Sequence, residues 1–135
     1  MFTAEDIISI HTTKEFHRTA MKIFRYQFEH NEVYQKYCLL LQKDPSNVKH
    51  LNEIPFLPIE FFKSKEILSS NESIQETFTS SGTTGSATSK HHVTDLSFYE
   101  YSFRNGFSKF YENIEDYSVL ALLPSYLERD GSSLI

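Results

Sequence analysis

Phe78-Thr79-Ser80-Ser81-Gly82-Thr83-Thr84-Gly85-Ser86-Ala87-Thr88-Ser89-Lys90 concentrates hydroxyls and glycine between an apolar entry and a basic exit. Two of the chain's four glycines fall in it. Glycine's freedom at positive φ lets a loop turn backbone N–H groups toward one anion. Thr79, Ser80, Ser81, Thr83 and Thr84 add hydroxyl donors and Lys90 adds a positive charge, so the stretch reads as a phosphate loop. The same composition also describes a solvated Ser/Thr/Gly tether. Its flanks weigh against that, because 75–78 and 91–93 both read as short strands.

Two familiar phosphate motifs are excluded by spacing. The P-loop needs G-x-x-x-x-G-K-[ST], whereas Gly82 and Gly85 are too close and Lys90 is followed by His91. The dinucleotide fingerprint G-x-G-x-x-G lacks its third glycine. The stretch instead resembles the T-S-G-[ST]-T-G phosphate signature of the AMP-forming adenylating enzymes, the superfamily of acyl-CoA synthetases and firefly luciferase. Thr83, Thr84 and Gly85 match it directly. The doubled serine of Ser80-Ser81-Gly82-Thr83-Thr84-Gly85, followed at a distance by an aspartate opening a helix, is similar to the phenylacetate-CoA ligase and bioluminescence acyl-protein synthetase branch. Ile54-Pro55-Phe56-Leu57-Pro58-Ile59-Glu60-Phe61-Phe62-Lys63 resembles the proline-punctuated approach segment of the acyl-protein synthetases. Leu120-Ala121-Leu122-Leu123-Pro124-Ser125-Tyr126-Leu127-Glu128-Arg129 resembles their next buried strand and the substrate-side loop after it. Where many members carry Pro-Lys soon after the last glycine, this chain has Ser86-Ala87-Thr88-Ser89 before Lys90.

The resemblance implies an ATP-dependent acyl ligase. A carboxylic acid would be activated as an acyl adenylate, with ATP and Mg2+ required, and the acyl group passed to a thiol of coenzyme A or of an acyl-accepting protein. Ser80, Ser81, Gly82, Thr83, Thr84, Gly85 and Lys90 are the expected ATP-binding residues, and Pro124, Ser125 and Tyr126 the expected substrate-side residues. No catalytic residue is assigned. The implied fold is α/β: N-terminal helices over 1–53, then over 54–135 the start of a mostly parallel or mixed sheet belonging to a larger nucleotide-binding domain. The apolar run 117–123 is of strand length and needs neighbours in such a sheet. Because 133–135 enters a new apolar segment, the chain is expected to be an N-terminal piece, and the resemblance implies that this piece, without the mobile C-terminal domain of such enzymes, is inactive by itself.

Composition sets outer bounds. A length of 135 residues with 39% hydrophobic content suits one domain or part of one, and twelve Phe and eight Tyr make the expected core aromatic. A net charge of −5 argues against nucleic acid, where affinity rests on Lys and Arg neutralising phosphates. One cysteine excludes an internal disulfide, and no run approaches the roughly 20 apolar residues that span a bilayer. Glu5 and Asp6 interrupt any leader-like apolar stretch, so a cytoplasmic location is expected.

Local patterns predict the helices. Thr3-Ala4-Glu5-Asp6 and Thr12-Thr13-Lys14-Glu15 are capping boxes for helices over 3–10 and 13–30. Phe16, Ala20, Ile23, Phe24 and Phe28 recur at helical spacing, and Val33, Tyr34, Tyr37, Cys38 and Leu41 extend the pattern before Asp44-Pro45-Ser46 breaks it. Cys38 on that stripe reads as a buried small hydrophobe rather than a nucleophile. Pro58 suits the first turn of a short helix ending at Lys65. Asp95 is the expected N-cap of an aromatic helix with a broad buried face, in which Gly106 permits close packing.

Other chemistry is poorly supported. His91 and His92 are adjacent on a strand and point to opposite faces, so they do not converge on one metal. Glu128, Arg129 and Asp130 read as a solvated turn, and Ser125 lacks the G-x-S-x-G context of a hydrolase. Two alternatives to the ligase stay open: a non-catalytic helical interaction domain with a flexible Ser/Gly tether, and a small nucleotide-binding module without ligase activity.

Overall fold

The computed structural model describes residues 3–80, 88–118 and 120. In chain order they form α1 (Ala4–Ile8), α2 (Thr13–His30), α3 (Glu32–Leu40), a 3-10 turn (Leu51–Glu53), α4 (Phe61–Ser64), β1 (Glu76–Thr79), β2 (Lys90–Val93), α5 (Leu96–Tyr111) and a second 3-10 turn (Ile114–Asp116). The fold is a mixed α/β one, rich in helix.

Caps set the helix starts. Thr12 Oγ1 accepts from the Glu15 N–H at 3.2 Å while Glu15 returns a carboxylate oxygen to the Thr12 N–H at 2.9 Å. Thr3 and Asp6 do the same for α1, and both expected capping boxes are therefore present. Helix α1 is shorter than expected because its C-cap, Ser9, already leaves the helix. Asn31 separates α2 from α3: its N–H completes α2 by donating to the Gln27 carbonyl at 2.9 Å, and its Oδ1 accepts from Tyr34 N–H at 2.9 Å to begin α3. Asp95 caps α5 as expected, accepting from the Ser97 and Phe98 amides.

The core lies between α2, α3 and the segment after them. Phe24, Tyr34, Cys38 and Val48 are buried, with Met21, Phe28, Tyr37, Ile54 and Leu57 packed around them. Phe24 meets Tyr34 edge-on at a ring-centroid separation of 6.3 Å and Phe28 at 6.2 Å. The Tyr34 hydroxyl donates to the Pro55 carbonyl at 2.7 Å, which ties the proline-punctuated segment to α3. Burial raises the Cys38 thiol above its ordinary value, in keeping with a core side chain. Burial likewise pushes the Tyr34 phenol up.

β1 and β2 pair antiparallel, with Glu76 opposite Val93, Thr77 opposite His92, Phe78 opposite His91 and Thr79 opposite Lys90. The chain returns directly from one strand to the next, and a short return of this kind makes an antiparallel neighbour. Among the described residues this hairpin is the whole sheet. Tyr117, Ser118 and Leu120 are in no strand, and the rest of the 117–123 segment lies outside the described residues. The hairpin is held on the face that carries the cross-strand pair Phe78 and His91: Phe62 of α4 stacks on His91 at 6.1 Å, and Tyr99 of α5 meets Phe78 at 4.9 Å.

Three local expectations are corrected. Helix α4 begins at Phe61 rather than at Pro58, whose carbonyl instead accepts from the Phe61 N–H at 3.1 Å in a preceding turn. Helix α5 has no buried residue; among the described residues it packs mainly on α1 and the 3-10 turn Ile114–Asp116, elements of five and three residues. A Cβ at Gly106 would meet nothing within 4 Å, so close packing is not what that glycine provides among the described residues.

Candidate functional site

The hydroxyl-rich stretch is the connection of the β1–β2 hairpin, and its base is built from two serines. Ser80 N–H donates to the Ser89 carbonyl at 3.1 Å, and Ser89 N–H donates to Ser80 Oγ at 3.0 Å. Lys90 follows at once as the first residue of β2, exposed and directly opposite Thr79. The pairing therefore brings Thr79, Ser80, Ser89 and Lys90 to one end of the ladder. The connection between the strands therefore leaves and re-enters the ladder at a hydrogen-bonded pair of serines.

Ser81, Gly82, Thr83, Thr84 and Gly85 lie outside the described residues, as do Pro124, Ser125 and Tyr126. Of the expected ATP-binding set, the structure describes Ser80 and Lys90 and brings them to the same end of the hairpin. Ser89 is part of the hairpin base and was passed over by the motif reading. Its signal in the sequence was symmetry, a serine at each end of a glycine-containing run between two strand-like segments.

The two histidines behave as adjacent strand residues do. His91 stacks on Phe62, whereas His92 Nδ1 shares a 2.8 Å hydrogen bond with Thr77 Oγ1, its cross-strand partner. Among the described residues there is no group of three or more His, Cys, Asp or Glu able to hold a metal ion. Ser97 and the Phe98 and Ser97 amides hold the Asp95 carboxyl below its ordinary value, so it is an ionised helix cap.

Beside the hairpin lie two adjoining clefts. One, of about 520 Å³, is bounded by β2, the start of α5 and residues 67–70, with Ser69, Ser70, His92 and Asp95 among its polar walls. The other, of about 390 Å³, is apolar, running along α2 against residues 51–57. Gln27, Asn31, Phe62 and Ile67 line both. Asn31 is 5% exposed, and its amide Nδ2 reaches Ser69 Oγ at 3.4 Å. No sequence pattern marks this junction, because it joins residues from α2, the cap between α2 and α3, α4 and the segment after α4.

Among the described residues, no helix is long and apolar enough to cross a membrane. No solved structure matches the chain. A curated relative, the long-chain-fatty-acid–luciferin-component ligase of Photorhabdus luminescens, is 32% identical over 88 residues, which is 63% of this chain and 75% of the relative. Residues 8–97 match the family described as acyl-protein synthetase, LuxE. That match takes in the core helices, the proline-punctuated segment and the whole hairpin with its loop. The chain belongs to the LuxE acyl-protein synthetase family.

Proposed function

We propose that this chain supplies the phosphate-binding hairpin of an ATP-dependent ligase that activates a long-chain carboxylic acid and passes it to a thiol. The observation that carries the reading is the hairpin base, where Ser80 and Ser89 close a loop of sequence Ser-Gly-Thr-Thr-Gly-Ser-Ala-Thr and set Lys90 beside it. Membership of an acyl-protein synthetase family supports the acyl chemistry. The relative's name supplies the acid, a long-chain fatty acid.

In this reading a carboxylate oxygen attacks the α-phosphorus of ATP. The bond from Pα to its bridging oxygen breaks, pyrophosphate leaves with both electrons, and an acyl adenylate remains. A thiolate sulfur then attacks the acyl carbon and AMP departs. Attack by an anion on an anion requires neutralisation by fixed donors. Ser80 through Gly85 would hold the β- and γ-phosphates with backbone N–H and hydroxyl donors, and Lys90 would add charge at the loop's exit. Mg2+ would arrive on the triphosphate, as it commonly does where phosphates supply most of its ligands. The acceptor is a thiol of a protein or of coenzyme A, and the setting is cytoplasmic, where ATP and free thiols are available.

The test is exchange of labelled pyrophosphate into ATP by the protein carrying this chain. Exchange that requires a long-chain carboxylic acid supports adenylation. Absence of exchange with any carboxylic acid, or exchange indifferent to it, overturns the reading.

A further inference from the structure

We infer that the apolar cleft along α2 is the binding site for the alkyl chain of the acid, with the acid's carboxyl end at Gln27 and Asn31. The inference rests on the proposed reading that the substrate is a long-chain carboxylic acid, and adds where the chain lies. The cleft's walls are Ala20, Ile23 and Phe24 on one side and Leu51, Ile54 and Leu57 on the other, all hydrocarbon. Its volume of about 390 Å³ falls in the ~300–1,000 Å³ range of small-molecule sites. Two large apolar side chains of its lining, Phe16 and Phe56, are 53% and 81% exposed, which is costly in water and is relieved by an apolar occupant.

Polar side chains enter the lining where the two clefts meet. Where the apolar cleft meets its neighbour, Gln27 and Asn31 join Phe62 and Ile67 in the lining, and the Gln27 amide together with the second N–H of the Asn31 amide, whose first reaches Ser69 Oγ, offers donors to a carboxyl group. Beyond them the second cleft is walled by β2, and the ladder of β2 leads at its other end to the Ser80–Ser89 base. The order of surfaces is thus hydrocarbon, amide, hairpin. It follows the order of a reacting acid, with alkyl tail, carboxyl carbon and then the phosphate to be attacked.

Ala20 is the smallest side chain on the α2 wall, so bulk added there shortens the cleft without changing helix polarity. Binding is read by displacement of a fluorescent polyene fatty acid with hexanoate, decanoate or tetradecanoate. Affinity is expected to rise about fourfold for each added methylene that the cleft covers. Ala20→Phe is expected to weaken tetradecanoate about tenfold or more, through loss of burial for several methylenes. A tetradecanoic acid bearing a terminal diazirine, photolysed on the unmodified protein, gives a second readout independent of variant folding. It is expected to label peptides from 16–24 and 51–57. Labelling confined to other peptides, or affinities indifferent to chain length, overturns the inference. If acid-dependent pyrophosphate exchange is seen with labelling elsewhere, the ligase reading stands and the cleft assignment falls. If labelling falls in the cleft without any exchange, the alkyl site stands and the ligase reading falls.

Discussion

Ser80 and Ser89 exchange two hydrogen bonds across the mouth of the hairpin, one from backbone to backbone at 3.1 Å and one from backbone to hydroxyl at 3.0 Å. The second depends on a side chain, so it can be removed without altering the ladder. Ser80→Ala leaves the Ser89 N–H without its acceptor, and a hydrogen bond of this kind contributes about 0.5–1.5 kcal/mol. A two- to tenfold loss in kcat/KM for ATP is expected, read mainly as a higher KM, because the loop's donors are less well fixed before ATP binds. An unchanged KM for ATP would show that the serine pair does not position the loop.

Gly106 gives a prediction of opposite sign. It lies inside α5 with open space around the position of a Cβ, so alanine adds helix propensity without a clash. Gly106→Ala should stabilise the protein by about 0.5–1 kcal/mol, seen as a higher urea midpoint. A lower midpoint would mean that a surface packs on this face and needs the glycine.

The Tyr34 hydroxyl is the strut between α3 and the proline-punctuated segment. Tyr34→Phe keeps the ring against Phe24 but strands the Pro55 carbonyl, which costs about 1–2 kcal/mol. Phe24→Ala empties the position of the largest fully buried side chain among the described residues, 1% exposed, and should cost about 3–5 kcal/mol. Denaturant unfolding orders the two variants, and equal losses would contradict this division between a strut and a core residue.

Acid should weaken the fold through its caps. Backbone and hydroxyl donors hold the Asp6, Glu15, Asp44, Glu53 and Asp95 carboxyls below their ordinary values. A carboxyl depressed in the folded state stabilises it above the unfolded value, near 4, and the benefit is lost as pH falls through the folded value. The Tm is expected to hold through neutral pH and to decline below about pH 4. Asp95→Asn, which keeps an N-cap acceptor but no longer titrates there, should make that decline shallower. A Tm that stays level on acidification would contradict the assignment.

What the sequence disclosed follows the range of the forces involved. The Thr12–Glu15 box, the Asp95 cap and the two short strands were legible because each is decided by neighbours within a few residues. Cys38 read correctly as core because its stripe repeats at helical spacing. The exposure of α5 was not legible: Phe103 and Phe110 have the pattern of a buried face, yet burial depends on what lies opposite, which composition does not state. The pairing of β1 with β2 and the joining of two clefts at Asn31 also rest on distant contacts. Of the three segments that carried the resemblance, 54–63 and 78–90 lie inside the matched region and 120–129 lies beyond it.

The central claim is that the loop carried by the Ser80–Ser89 base binds the pyrophosphate portion of ATP, and exchange of labelled pyrophosphate into ATP by Gly85→Val tests it most directly. A Cβ branch at a loop glycine restricts the backbone that presents donors to the phosphates, so a loss of about a hundredfold or more is expected. Thr84→Ala should lose less, because neighbouring donors remain, and Lys90→Ala measures how much charge at the displaced lysine contributes. The unmodified protein must show exchange dependent on a long-chain carboxylic acid, with the variants matched to it in Tm. Near-normal exchange by Gly85→Val would contradict the phosphate-loop assignment.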